Sequence, residues 1–422
     1  MPFDQIDKPA ILRPLGGIEK LFWLISQNRQ THFAITAEVA GSSQVAQWQE
    51  ALDRICGQLP VIWSRIVPDS RGVPLFEGVP RGSIPLQVVE DAGSNWATHV
   101  AAQIERPFDP SEAPLLRATL LHGDDRSVII LCAHHTIADG LSLSFLMRDL
   151  LRTLGGETVV LSPVTASLEQ MVASRTEPAG TLTPPPEAPP AGRDAPYRLL
   201  NGSLPHVESL RFSREKTERL RAWARAERTT VHGALSAAAT FAASVRMPRR
   251  SDLPLRVHSP IDVRGRLLGG SEDLGVFVSA AIVELGDGLG DFRRRARFFS
   301  DSLAPLKASE LLAGMVGMMR DQMAGITTVD QAQAFLAQQA GADILLSNLG
   351  AVDFPDRYGP FTLEALWGPS VTMGFALAQT IGAITLGGRL HLLHTSYEPA
   401  RGLLAETSSI LDAVLQDSLG YV

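Results

Sequence analysis

His134-His135-Thr136-Ile137-Ala138-Asp139-Gly140 closes an uninterrupted apolar run, Val128 to Ala133. A short apolar run bounded by polar residues predicts a buried β-strand. The paired histidines therefore stand where a strand leaves the core. Downstream, Leu141, Phe145, Leu146, Leu150, Leu151 and Leu154 recur at helical spacing, so a helix follows. Asp139 and Gly140 fall at its entry, where Asp is a natural cap and Gly tolerates an unusual backbone angle. A histidine at a strand end is most often structural. An imidazole is nonetheless a poor core filler, because both ring nitrogens want partners. A strand end is also a rigid place from which to deliver a catalytic base into a crevice.

On the N-terminal side, Thr31 to Val39 reads as a strand. Ser42-Ser43 reads as the cap of a helix running to Gln58, with Val45, Trp48, Leu52 and Ile55 on one face. Trp63 to Val67 and Val73 to Phe76 form a strand pair turned at Asp69-Ser70-Arg71-Gly72. A helix is expected over Trp96 to Ile104, and Leu115 to Leu121 is a strand preceding the apolar run. On the C-terminal side, helices are expected over Arg214 to Arg228, Val231 to Arg246, Asp291 to Leu303, Val329 to Gln339 and Ala400 to Leu415. Strands are expected over Leu255 to Ser259, Val276 to Leu285, Ile344 to Ser347, Thr362 to Leu366, Val371 to Leu377 and Ile384 to His394. Both halves are α+β. Between them, from Pro163 to Pro205, prolines are too dense for regular structure, with Pro184-Pro185-Pro186 and Pro189-Pro190 close together. The expected division is 1–165, a linker over 166–208, and 209–422.

The 422 residues suffice for two or three ordinary domains, and the net charge of −7 is spread without long blocks. Arg293-Arg294-Arg295 reads as a solvated helix face, which gives no ground for nucleic-acid binding. The two cysteines, Cys56 and Cys132, lie in apolar segments, so there is no disulfide framework or cysteine zinc site, as suits a reducing cytoplasm. The N-terminus lacks a signal-peptide pattern, and no apolar run reaches the roughly 18 residues of a membrane span. A cytoplasmic monomer is expected.

The string HHTIADGLS resembles the HHxxxDG motif of the chloramphenicol acetyltransferase superfamily. That group includes condensation domains of nonribosomal peptide synthetases, mycobacterial polyketide-associated acyltransferases, wax ester synthases and plant BAHD acyltransferases. Three later stretches are similar to family landmarks in order: Ser259 to Arg264, Leu274 to Ser279, and Ser347-Asn348-Leu349-Gly350. The Asp-Phe-Gly-Trp-Gly motif of the plant branch is absent, and so is a match to the late Arg-rich motif of full condensation domains. The resemblance implies two acetyltransferase-like lobes forming a pseudo-dimer around a central tunnel. It implies acyl transfer from a thioester to a hydroxyl or amine, in natural-product or lipid biosynthesis. With no carrier or adenylation segment in the chain, the donor is expected in trans, as acyl-coenzyme A or on a phosphopantetheinyl carrier protein. No tightly bound cofactor and no metal are implied.

Thiolates leave readily, so the demand falls on deprotonating the acceptor, a task for a neutral imidazole. The resemblance assigns this to His135. His134 supports the loop, and Asp139 is expected to point away and form a bidentate pair with Arg264. Gly140 is expected to keep space for the thioester arm. Asn348, with Ser347, is expected to face substrate or oxyanion. No Gly-x-Ser-x-Gly elbow is present, so direct transfer is the simpler mechanism. The competing readings are a non-catalytic scaffold or carrier-docking module, and hydrolysis or epimerisation on the same fold.

Overall fold

The apolar run Val128–Ala133 lies inside a six-stranded sheet in the computed structural model, which describes residues 10–90, 95–163, 166–175, 197–198, 201–247, 254–286 and 288–417. Strand Arg126–Ala133 pairs antiparallel with Phe33–Ala40 and with Leu116–His122, so that Phe33 and Leu116 both stand opposite Ala133. The strand is buried on both faces, as a continuous apolar run requires. One face packs on helices Val45–Cys56 and Gly140–Leu154 through Trp48, Leu52, Leu146 and Leu150. The other packs on helix Trp96–Glu105 through Val100 and Ile104. Leu86–Val89 adds in parallel at one edge.

The opposite edge is filled from far along the chain. Phe361–Ser370 pairs antiparallel with Phe33–Ala40, and Arg357–Tyr358 pairs with Phe361–Ser370. A second six-stranded sheet runs in the order Val278–Glu284, Arg256–Asp262, Ile344–Val352, Gln379–Leu386, Arg389–Ser396, His206–Arg211. Helices Arg214–Ala226, Val231–Arg246, Phe292–Leu303 and Leu403–Asp417 cover it with a core rich in alanine and leucine. A small sheet, Ala10–Pro14, Pro74–Gly78 and Ser64–Pro68, completes the first lobe. No helix among the described residues is long and apolar enough to cross a membrane.

Several sequence expectations need correction. The helix at residue 45 starts behind Gln44, whose backbone N–H donates to Gln47; Ser43 instead accepts from the Trp48 indole at 3.0 Å. Ile384 to His394 is not one strand but parts of two, turned at Gly387 and Gly388. Both glycines have positive φ, as a tight two-residue hairpin demands. Val371 to Leu377 is no strand: Gly374 and Leu377 take positive φ, and only Phe375 makes an isolated bridge, to Tyr197. Helices Gly17–Ser26 and Ser309–Ala324 were not anticipated. In the second, Leu311, Leu312, Met315, Val316, Met318, Met319 and Met323 spread around the helix instead of forming one stripe. The stretch from Pro163 to Pro205 is not wholly without regular structure, since helix Leu168–Ala173, capped by Ser167, stands in its proline-free beginning; the run Pro184 to Pro190 lies outside the described residues.

The two sheets meet where Gly382 faces the backbone of Gly368 and Pro369. A Cβ on Gly382 would stand 2.3 Å from the Pro369 carbonyl oxygen and 2.8 Å from its nitrogen. Neither is a flexible side-chain end, so the sheets themselves would have to part. Gly382→Ala is therefore expected to lower the unfolding free energy by about 3 kcal/mol in urea titration. Gly317→Ala, in a helix with nothing within 4 Å of the new Cβ, should be neutral or stabilise by up to about 1 kcal/mol.

Candidate active site

The strand Arg126–Ala133 ends by holding the His134 N–H on the Leu115 carbonyl at 2.9 Å, after which the chain turns through Ile137. His135 emerges from that turn and lines a cavity of about 660 Å³ between the lobes. Its Nδ1 lies 2.8 Å from the Ala138 carbonyl. A carbonyl only accepts, so Nδ1 carries the proton, and Nε2 is left as the lone-pair nitrogen. The ring lies flat on Phe22, with centroids 4.1 Å apart and 12° between planes, and against Phe33 at 4.6 Å. Burial lowers its pKa below the ordinary imidazole value, although the Ala138 carbonyl and Asp139 oppose this. His135 is therefore a neutral base at neutral pH.

His134 points the other way. It is 1% exposed, and its Nδ1 accepts from the Thr136 N–H at 3.3 Å, with the Thr136 hydroxyl at 2.8 Å. Burial, with smaller effects from His32, His135 and Arg117, lowers its pKa to about 3. Its surroundings include Phe108, edge-on at 6.0 Å, and the neighbouring His32, which meets the Gln103 carbonyl at 3.0 Å.

Asp139 spends both carboxylate oxygens away from His135. One accepts from the Ser142 N–H at 2.9 Å, capping helix Gly140–Leu154, and from Arg264 at 2.8 Å. The other accepts from the Phe277 N–H at 2.8 Å. The pair with Arg264 is not bidentate as expected. The same guanidinium nitrogen also reaches the Ser142 hydroxyl at 2.6 Å, and Arg264 turns its other terminal nitrogen to Asp262 at 2.7 Å. The guanidinium also stacks on Phe277, 4.7 Å from the ring centre. Burial raises the Asp139 pKa, but Arg264 and the two backbone donors outweigh it, and the net shift is downward.

Gly140 has no unusual backbone angle. Its missing Cβ leaves room for Leu349, whose Cδ2 would stand 2.8 Å away, so it shapes the cavity wall. Ser347 and Asn348 also line the cavity. The Asn348 side-chain oxygen, Oδ1, accepts from the Gly350 N–H at 2.9 Å, which leaves its side-chain amide nitrogen as the donor available to a ligand. The remaining wall is largely apolar and includes Phe22, Ile282, Met315, Met319, Phe335 and Leu336. Phe22 was missed in the sequence. Ile18, Leu21, Phe22 and Ile25, at helical spacing on either side of Glu19, held the available signal: the Glu19 carboxylate caps the helix start by accepting from the Gly16 N–H at 2.6 Å.

Removing Asp139 leaves Arg264 buried and short of a counter-charge, so Asp139→Ala is expected to cost about 3–5 kcal/mol in urea unfolding. A second expectation concerns acid. His32 and His134 are both held near pKa 3, chiefly by burial, against 6.5 when free. The unfolded chain takes up these protons first, so stability is full above pH 6.5 and falls as the pH drops towards 3. The slope is about 1.4 kcal/mol per pH unit for each histidine. Unfolding free energies measured at pH 7.5 and pH 5 check this, and equal values would contradict it.

A condensation-domain family model matches residues 22–175. A second model, described as the phthiocerol/phthiodiolone dimycocerosyl transferase C-terminus, matches residues 201–269. Surfactin synthase subunit 2 of Bacillus subtilis (strain 168) is 26% identical over 161 residues, which is 36% of this chain but only 4% of that relative's length. Polyketide synthase associated protein 5 from Mycobacterium tuberculosis superposes with a TM-score of 0.65 at 18% identity, covering 96% of this chain and 98% of that one. TRI3 trichothecene 15-O-acetyltransferase from Fusarium sporotrichioides does so with a TM-score of 0.66 at 12% identity, covering 97% and 96%. At such identities the superpositions establish the fold. The chain thus carries a condensation-domain match in its N-terminal half and a match to the dimycocerosyl transferase C-terminus after it, and it has the fold of the polyketide-associated protein and the acetyltransferase on which it superposes.

Proposed function

We propose that the chain transfers an acyl group from a thioester to a hydroxyl acceptor, with His135 Nε2 as general base and the inter-lobe cavity as the meeting place. The observation that carries this reading is the Ala138 carbonyl on Nδ1. It fixes a neutral tautomer whose lone pair belongs to a residue lining the cavity. The acceptor O–H would give its proton to Nε2 as its oxygen attacks the thioester carbonyl. The tetrahedral oxyanion would then collapse, breaking the C–S bond, and the imidazolium would return the proton to the departing thiolate. The Asn348 amide nitrogen, on the cavity wall of the second lobe, is the candidate donor for the oxyanion. Asp139 and Arg264 act only by holding the turn.

The donor in this reading is an acyl chain on coenzyme A or on the phosphopantetheinyl arm of a carrier protein. The condensation-domain match and the position among polyketide-associated relatives support the carrier-borne form. The 15-O-acetyltransferase among the structural relatives supports an oxygen acceptor. The predominantly apolar wall suits an acyl chain more than a charged one.

The test is turnover of acyl-coenzyme A and acyl-carrier donors with a panel of alcohols and amines, products being identified by mass. His135→Ala is expected to lose about 10² to 10⁴ in kcat with its thermal midpoint retained. His134→Ala should chiefly lower stability. Intact-protein mass should show no acyl-enzyme. Because the base form is the active one and burial lowers the pKa of His135, the rate should rise with pH through a midpoint below about 6.5 and then level off. Full activity in His135→Ala would overturn the assignment, and a trapped acyl-enzyme would overturn direct transfer.

A further inference from the structure

At the far edge of the second sheet, strand His206–Arg211 pairs antiparallel with Arg389–Ser396. The register sets Glu208 opposite His394 and His206 opposite Ser396. Directly opposed residues share a face, as do residues two apart on one strand. His206, Glu208 and His394 therefore lie together on one face, and each offers a ligand atom within 4.8 Å of those of the other two. None of the three lines the cavity that holds His135.

The protonation of His394 follows from its neighbours. The Gln379 side-chain nitrogen donates to the carbonyls of Leu377 at 2.6 Å and Glu398 at 2.9 Å, and its oxygen accepts from the Ala400 N–H at 2.9 Å. That same oxygen lies 2.8 Å from His394 Nε2, which must then carry the ring proton. Nδ1 is consequently a bare lone pair. It is fully buried in a residue that is 0% exposed, and among the described residues no hydrogen-bond donor reaches it. Leaving a buried acceptor empty costs about 1–3 kcal/mol. His206 Nε2 and a Glu208 carboxylate oxygen are 3.5 Å apart, and both side chains are about a third exposed, at 34% and 36%. They are free to adjust by rotamer.

We propose that His206, Glu208 and His394 form a binding site for a divalent transition metal of the Zn²⁺ type. Two neutral imidazoles and a carboxylate are a ligand set that Zn²⁺ takes at about 2.0–2.2 Å, with a fourth position open to water. Gln379 fixes the His394 tautomer from behind, as an outer-shell partner does for a metal-bound imidazole. The metal would clip the edge strand His206–Arg211 to the sheet.

The test uses the full chain, stripped with a chelator and titrated with Zn²⁺ by calorimetry and with Co²⁺ by visible absorption. One Zn²⁺ per chain should bind with a Kd of about 1 µM or tighter. Co²⁺ should give d–d bands, and Zn²⁺ but not Mg²⁺ should raise the thermal midpoint. His206→Ala and Glu208→Ala, at partly exposed positions where folding is retained, should each weaken Zn²⁺ at least about tenfold and abolish the bands. His394→Gln should bind no metal, and if it fails to fold the two exposed variants carry the test. Absence of both heat and bands at about 100 µM metal, or binding unchanged in both exposed variants, would overturn the site.

Discussion

One buried carboxylate holds the two lobes in register. Asp139 is 5% exposed and begins the helix of the first lobe, yet it accepts from Phe277 and Arg264 of the second. Its own N–H donates across the same boundary to the Gly275 carbonyl. A carboxylate in such a place is tolerable only because both its oxygens accept hydrogen bonds and Arg264 supplies a counter-charge. The consequence for chemistry is indirect. With Asp139 pinned, Ala138 is pinned beside it, and the Ala138 carbonyl fixes the His135 ring. The carboxylate thus sets the geometry of the imidazole without touching it, unlike the acid of a Ser-His-Asp triad.

The aromatic neighbours complete the setting. Phe22 comes from helix Gly17–Ser26 and Phe33 from the strand opposite Ala133, and together they leave the imidazole little rotational freedom. They also remove water from around the ring, which is why its pKa falls. In the proposed reaction, an imidazole kept neutral and oriented by packing needs little rearrangement before it takes the proton.

Much of this was legible because it is local. The run Val128–Ala133, the cap at Asp139 and the stripe from Leu141 to Leu154 are patterns of neighbours in sequence. Arg264 could be paired with Asp139 only through a family resemblance, and even then the division of its guanidinium between Asp139 and Asp262 was not visible. Helix Ser309–Ala324 hid because it packs on the core on one side and faces the cavity on another, so its apolar residues form no single stripe. The glycine pair at 387–388 was a readable hairpin signal that the apolar residues around it overrode. His206 and His394 carried no signal at all. Nothing but strand register brings them together.

The strand Phe361–Ser370 has a further meaning for how the chain is made. It completes the first sheet by covering the open edge of Phe33–Ala40, yet roughly 320 residues separate the two in synthesis. At about 5–20 residues per second, that edge waits for tens of seconds with its backbone donors and acceptors unpaired. An exposed edge next to an apolar core is an invitation to pair with another chain. The first lobe is therefore not a unit that closes as its own residues emerge. It stays open until most of the second lobe has emerged, and a polypeptide stopped before residue 361 would be a sheet with one side missing.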